Sequence, residues 1–209
     1  MSRWAYTRSS KSFALYLFWG LGGAIFISDN VAQINTVSGR SMEPSLSPLD
    51  NTTGRKDTVL WSKWEVQSKI QRGDVVLFST PQKPDVIATK RVIATPGDTV
   101  ILDPRRRPTR RVSGADVPES LGWDMYKRRA VVPEGHVWVE GDNWRESKDS
   151  NWYGPISKSL ILGRASAVVW PYYRAGAQPW NDFKSKTKVI KGAVERVDEL
   201  EFCESLGPV

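Results

Sequence analysis

Two side chains in this 209-residue chain could together make an acyl-transfer centre: Ser41, in "VSGRSMEPSL", and Lys90, in "ATKRVIATPGD". A serine hydroxyl becomes a useful nucleophile where a neighbouring group takes its proton and preorganised donors meet the developing oxyanion. Lysine can take that proton when burial disfavours the ammonium form and brings its pKa toward working pH. Lys90 lies inside an apolar β-branched run, where an alternating strand buries part of its side chains and sends Arg91 to the opposite face. Lysines rarely stand in such runs without a partner. Residue type alone leaves the pairing open, since any serine and any lysine can be joined on paper. The competing reading of Ser41 is one more hydroxyl in a Gly/Pro-rich loop.

Other chemistries are restricted by composition. The single histidine, His136 in "PEGHVWVEGD", reads as the start of a strand, and a Ser-His-Asp triad or a histidine metal centre would rest on it alone. A single cysteine, Cys203, excludes an intrachain disulfide and a multi-cysteine zinc site. No metal and no cofactor is expected. The formal charge of +7 suggests an acidic contact, whose sign does not choose among lipid headgroups, protein and nucleic acid. Arg105, Arg106, Arg107, Arg110 and Arg111 form a basic run that reads as a solvated loop, and no nucleic-acid partner is expected.

The elements that must position Ser41 and Lys90 follow from patterning. After a basic flank at 1–11, residues 12–28 carry no charge and end at Asp29. That run is short against the roughly 20 residues that span a bilayer, so a snorkelling Lys11 and interfacial aromatics would have to assist. A cleavable secretory signal lacks a convincing small-x-small site behind the run, and a buried soluble helix would have a polar face. An uncleaved single-pass transmembrane anchor is preferred. From 35 to 172 the chain becomes short β-branched or aromatic runs bounded by Gly, Pro and Asp, including "RGDVVLFST", "GHVWVEGDN" and "LILGRASAVVWP". The expected class is therefore mainly β. Ten tryptophans suit the core of such a domain, with a bilayer surface as the alternative. Residues 103–127, rich in Pro and Arg, read as an exposed insertion, and 173–209 as a polar tail with no assigned chemistry.

Four stretches in order, "SGRSMEPSL", "RGDVVLFS", "TKRVIATPGD" and "GHVWVEGDNWRESKDSNWYGPI", resemble the boxes of the type I signal peptidase family, and within it the subunit 2 branch of the mitochondrial inner membrane peptidases. The resemblance implies a signal-peptidase-like β catalytic domain behind one N-terminal transmembrane helix. It also implies a serine endopeptidase that removes N-terminal sorting segments from precursor polypeptides. Ser41 then falls on the nucleophile and Lys90 on the general base. Gly39, Met42 and Pro44 belong to the serine-box turn, which Pro44 would rigidify. Ser147 matches a hydroxyl that hydrogen-bonds the lysine amine, and Asp149 an acidic residue that supports the site from behind. Gly141, Asp142 and Asn143 form a turn with an expected structural role.

Two departures stand out against that family. Some relatives carry a serine two residues before the nucleophile as an oxyanion donor, and Gly39 is found there. Many relatives place an arginine after "DS", where Asn151 stands. The branch implies an inner-membrane, single-pass protein with its catalytic domain facing the intermembrane space, in contact with lipid and with a homologous subunit 1. A non-catalytic subunit that stabilises a partner peptidase is the alternative. A self-cleaving repressor with the same dyad would need a DNA-binding helical domain in place of the apolar run.

Overall fold

The computed structural model describes residues 3–103, 106, 123–124 and 129–192. It opens with helix α1 (Arg3–Asn30). The strands follow as β1 (Ala32–Val37), β2 (Asp57–Ser62), β3 (Val75–Thr80), β4 (Lys83–Ala94), β5 (Thr99–Ile101), β6 (Trp123–Asp124), β7 (Arg129–Val131), β8 (His136–Glu140), β9 (Ile156–Ser157), β10 (Ile161–Trp170) and β11 (Lys188–Ile190). Two single-turn helices interrupt them, α2 (Asp50–Thr53) and α3 (Ser150–Tyr153). The mainly β class expected from the turn-bounded runs is what forms.

Seven strands make one antiparallel sheet in the order β1-β2-β10-β3-β4-β8-β9, and four make a smaller one, β11-β5-β7-β6. β3 is central, which explains the unbroken "VVLF" of its first four residues: all are buried, so neither face needs a polar partner. Alternation sends Val75 and Leu77 into a cluster with Trp61 and Met42, and Val76 and Phe78 into one with Val92 and Val139. Each such side chain, fully buried, contributes about 1.5–3 kcal/mol. β4 pairs with β3 from Lys83 to Arg91, Val76 standing opposite Lys90, and meets β8 from Arg91 onward. Its first half is accordingly exposed and its second half buried.

Helix α1 presents Phe13, Tyr16, Phe18 and Trp19 to the surroundings, each about 70% exposed or more. It is tied to the domain where Lys63 Nζ donates to Ser28 O at 3.3 Å and Lys63 N to Val31 O at 2.8 Å. Among the described residues no helix is long and apolar enough to cross a membrane. The transmembrane expectation for 12–28 is thus matched in helicity and exposure but not in apolar length. The tryptophans divide: Trp61, Trp138 and Trp180 are buried, while Trp64, Trp144 and Trp170 lie open.

Beyond Tyr173 the chain is more than a polar tail. Trp180, 4% exposed, enters the first core cluster, and β11 pairs with β5, Val189 opposite Val100. One aromatic anchor and a three-residue strand leave no periodicity to read in the sequence. Residues 193–209, with Cys203, lie outside the described residues, as do Arg105, Arg107, Arg110 and Arg111. Arg106 is described and departs from the solvated-loop expectation: its side chain, 13% exposed, bonds the buried Glu140.

Candidate active site

The turn after β1 presents Ser41. It is held by Leu46 N donating to Met42 O at 2.9 Å and by Met42 itself, buried at 1% exposure in the first cluster. Pro44 follows a cis peptide bond. From the other side, Asn143 N donates to Ser41 O at 3.0 Å. β4 delivers Lys90, and its pleat sends Lys90 and Arg91 to different partners. Lys90 Nζ donates to Ser41 Oγ over 2.7 Å, and when the amine is neutral the same contact directs the hydroxyl proton at the nitrogen lone pair. Burial pushes the Lys90 ammonium down from its ordinary 10.5 to about 8, against the opposing pull of Asp149 and Asp142. Desolvation outweighs two carboxylates because Lys90 is 5% exposed and Asp142 is already engaged by Arg91.

Behind the pair, Asp149 caps α3, its carboxylate accepting from Asn151 N at 3.1 Å. It also accepts from Asn151 Nδ2 at 3.0 Å, Gly141 N at 3.0 Å and Ser147 Oγ at 2.7 Å. Four donors on two oxygens leave little rotational freedom. Ser147 therefore gives its proton to Asp149, and a contact with the lysine amine would use its lone pairs. Gly141 explains how closely the pieces approach. A Cβ there would sit 2.5 Å from Ser41 O and 2.6 Å from Ser147 Cβ, and would overlap Ser147 Oγ. Gly141→Ala is expected to lower kcat/KM at least 100-fold, checked by initial rates on purified, circular-dichroism-matched protein.

Ser41 and Lys90 open onto a groove of about 430 Å3, also lined by Asn35, Thr36, Ser38, Leu77 and Ile87. Among the described residues its walls are the edge of β1, which pairs only with β2, and the part of β4 that pairs only with β3. Backbone groups unpaired on both walls can take an extended chain between them.

The family described as "Signal peptidase, peptidase S26" matches residues 10–170. The chain belongs to that family. It is 35% identical over 168 residues to the mitochondrial inner membrane protease subunit 2 of Schizosaccharomyces pombe, covering 80% of this chain and 81% of the relative. It is 41% identical over 135 residues to subunit 1 from Mus musculus, covering 65% and 68%. A solved signal peptidase I from Enterococcus faecalis V583 is 26% identical, covering 47% of this chain and 97% of its own, with a TM-score of 0.33.

Within this signal peptidase, both sequence departures have a local reason. Gly39 has φ +90°, a conformation L side chains rarely adopt, and its N–H donates to Asp50 Oδ2 at 3.1 Å. A serine on that backbone would be strained. Among the described residues the Ser41 N–H has no acceptor, which leaves it available to an oxyanion. Asn151 lies 3% exposed between two carboxylates, its Nδ2 reaching Asp149 Oδ1 and, at 3.2 Å, Glu140 Oε1.

The structure adds three residues that sequence reasoning left without a role near the site. Arg91 grips Asp142 through Nε and an NH2 group, both at 2.7 Å, and donates to Gly73 O and Trp180 O. Arg106 and Thr187 both bond Glu140. For Arg91 the signal was present, a second cation inside an apolar strand; for Arg106 and Thr187 no local pattern marks them. His136 stands at the start of β8, as its setting suggests, with Nδ1 3.0 Å from Glu134 O.

Proposed function

We propose that this chain is a membrane-anchored serine endopeptidase that removes N-terminal sorting segments from precursors bound for the mitochondrial intermembrane space. The observation that carries the proposal is the 2.7 Å contact between Ser41 Oγ and a buried lysine amine whose pKa falls to about 8. The names of relatives at 35–41% identity support a protease of the mitochondrial inner membrane.

Neutral Lys90 takes the Ser41 proton as Oγ attacks the scissile carbonyl. The N–H of Ser41 meets the oxyanion, and the lysine returns its proton to the leaving amine. A water then enters, Lys90 takes its proton as the oxygen attacks the acyl-serine, and Lys90 returns that proton to Ser41 Oγ as the acid leaves. Asp149 and Ser147 hold the amine's surroundings, Gly141 lets them approach, and Met42 and Pro44 fix the nucleophile's turn. The substrate lies extended along the groove between β1 and β4. Neither metal nor cofactor takes part.

Helix α1 is the anchor, single-pass, with the domain on the intermembrane-space side. Its charge-free run of 17 residues rises about 25 Å against a hydrocarbon core of about 30 Å, so local thinning of the bilayer completes the span. A homologous subunit 1 is the expected partner, since the relatives bear numbered subunit names.

The test incubates the detergent-solubilised chain with candidate precursors, with and without the candidate subunit 1, and sequences the new N-termini. Cleavage is expected from the wild type and none from Ser41→Ala. Undiminished cleavage by the Ser41→Ala chain alongside its partner would favour a non-catalytic, stabilising subunit.

A further inference from the structure

Glu140 is a buried carboxylate with four hydrogen-bond donors, behind the dyad's own surroundings. It ends β8 at 2% exposure, directly before Gly141. Its Oε1 accepts from Trp138 Nε1 at 3.0 Å and from Asn151 Nδ2 at 3.2 Å. Its Oε2 accepts from Arg106 at 2.8 Å and from Thr187 Oγ1 at 2.5 Å, and Arg106 also donates to Thr187 Oγ1 at 2.8 Å. The first two donors come from the catalytic domain's framework. The other two come from sequence-distant segments, one in the Arg-rich insertion and one beyond the last strand of the large sheet.

We infer that Arg106 and Thr187 form a clamp that positions the catalytic pair through Glu140, Asn151 and Asp149. The inference rests on the peptidase reading and deepens it. The two N–H bonds of one amide join the two carboxylates: Asn151 Nδ2 donates to both Glu140 and Asp149. Asn151 carries no charge, so it can orient Asp149 but cannot balance it. Fixing Glu140 therefore fixes Asn151, and Asn151 fixes the Asp149 carboxylate that holds Ser147 Oγ and Gly141 N. Gly141 in turn lies against Ser41 O.

The chain thus places an arginine one amide away from Asp149, from a segment remote in sequence. The residues around Thr187 reach the site at a second point as well. Trp180 O accepts from Arg91, and the Phe183 ring lies under the Arg91 guanidinium at 5.0 Å. The 180–190 segment is in this way a strap behind the catalytic pair, pinned to β5 by β11.

Removing Arg106 leaves Glu140 buried with its charge unbalanced. It then pulls harder on the Asn151 amide, at the expense of Asp149, and adds negative potential near the Lys90 amine. The charged groups acting on that amine are Asp149 and Asp142, with Arg91 neutralising the latter. Added negative potential favours the ammonium form, so the catalytic midpoint moves to higher pH.

The experiment measures kcat, KM and the pH midpoint of kcat/KM on the full chain with a cleavable precursor peptide, alongside melting temperature. Arg106→Gln is expected to lower kcat about tenfold with KM within twofold and to shift the midpoint upward. Thr187→Val is expected to lower kcat at least threefold, with recovery in Thr187→Ser, which keeps the hydroxyl. The double variant Arg106→Gln/Glu140→Gln is expected to bring the midpoint back toward wild type, since neither charge remains. The inference is overturned if Arg106→Gln keeps kcat within twofold of wild type. A loss confined to KM or to melting temperature, with the midpoint unmoved, overturns it too. If the wild type fails to cleave, or Ser41→Ala cleaves equally, the peptidase reading has failed instead. Should Arg106→Gln not fold, the Thr187→Val and Thr187→Ser pair decides: equal kcat in the two overturns the clamp.

Discussion

Replacing Lys90 with methionine is expected to lower kcat/KM by about 10,000-fold while leaving the fold at least as stable as wild type. The two side chains are nearly equal in length, so the substitution removes the amine and keeps the volume. A serine without its base attacks with an undiminished hydroxyl proton, and nothing else charged or basic is hydrogen-bonded to Ser41 Oγ among the described residues. The wild-type profile carries the same signature. With the amine near 8, only about one molecule in ten holds it neutral at pH 7, so kcat/KM climbs roughly tenfold from pH 7 and levels above pH 8. Stability runs in the same sense as activity, both being lower where Lys90 is protonated. The unfolded chain keeps the lysine proton up to 10.5 whereas the folded chain releases it near 8. Between those values the unfolded state binds more protons, so folding stability rises with pH. Below 8 the full penalty of burying the ammonium applies, about 3 kcal/mol. Lys90→Met therefore melts higher than wild type at pH 7, by an amount that shrinks as pH approaches 10. Thermal melts at pH 7, 8.5 and 10 check this; a constant difference would mean the lysine is not titrating inside the fold.

The pattern of alternation made Lys90 and Arg91 legible as inward and oppositely directed cations, because a strand has only two faces and both are buried where β3 and β8 flank β4. Ser41 was legible from its Gly/Pro turn and its place in an ordered set of boxes. The partners of those residues were not legible, and the reason is distance along the chain. Trp180 lies 89 residues from the arginine whose guanidinium its carbonyl receives, and Thr187 lies 47 from Glu140. No window of sequence contains both ends of such a bond. Arg106 sits among four other arginines, a context in which charge density predicts solvent and hides the inward turn of Arg106 itself. The segment after Tyr173 is hidden for a related reason: among its described residues Trp180 is the one buried apolar side chain, which leaves no period to detect. Gly39 and Gly141 could be seen as turn residues, but only the backbone reveals that the first needs a positive φ and the second the absence of a Cβ.

Removing Asp142 is expected to destabilise the protein by about 3–5 kcal/mol, the largest stability loss predicted for any single polar residue of the site. Arg91 and Asp142 are 3% and 1% exposed and meet through two parallel bonds. Neither charge can reach water when the other is gone. Arg91 would retain its bonds to Gly73 O and Trp180 O and its place over Phe183, but carbonyls and a ring do not neutralise a guanidinium at that depth. Asp142→Ala should therefore show its cost in urea melts at constant slope. Arg91→Met/Asp142→Leu, which removes both charges and fills the space, should cost less than the sum of the single changes. The same substitution reads on catalysis. Asp142 holds the Lys90 pKa up, and without it the unbalanced Arg91 pushes the amine further down. Asp142→Ala should thus shift the activity midpoint to lower pH, the reverse of the shift expected for Arg106→Gln. Two variants that both remove a buried ion pair would move one lysine in opposite directions, an outcome that loss of folding alone does not produce.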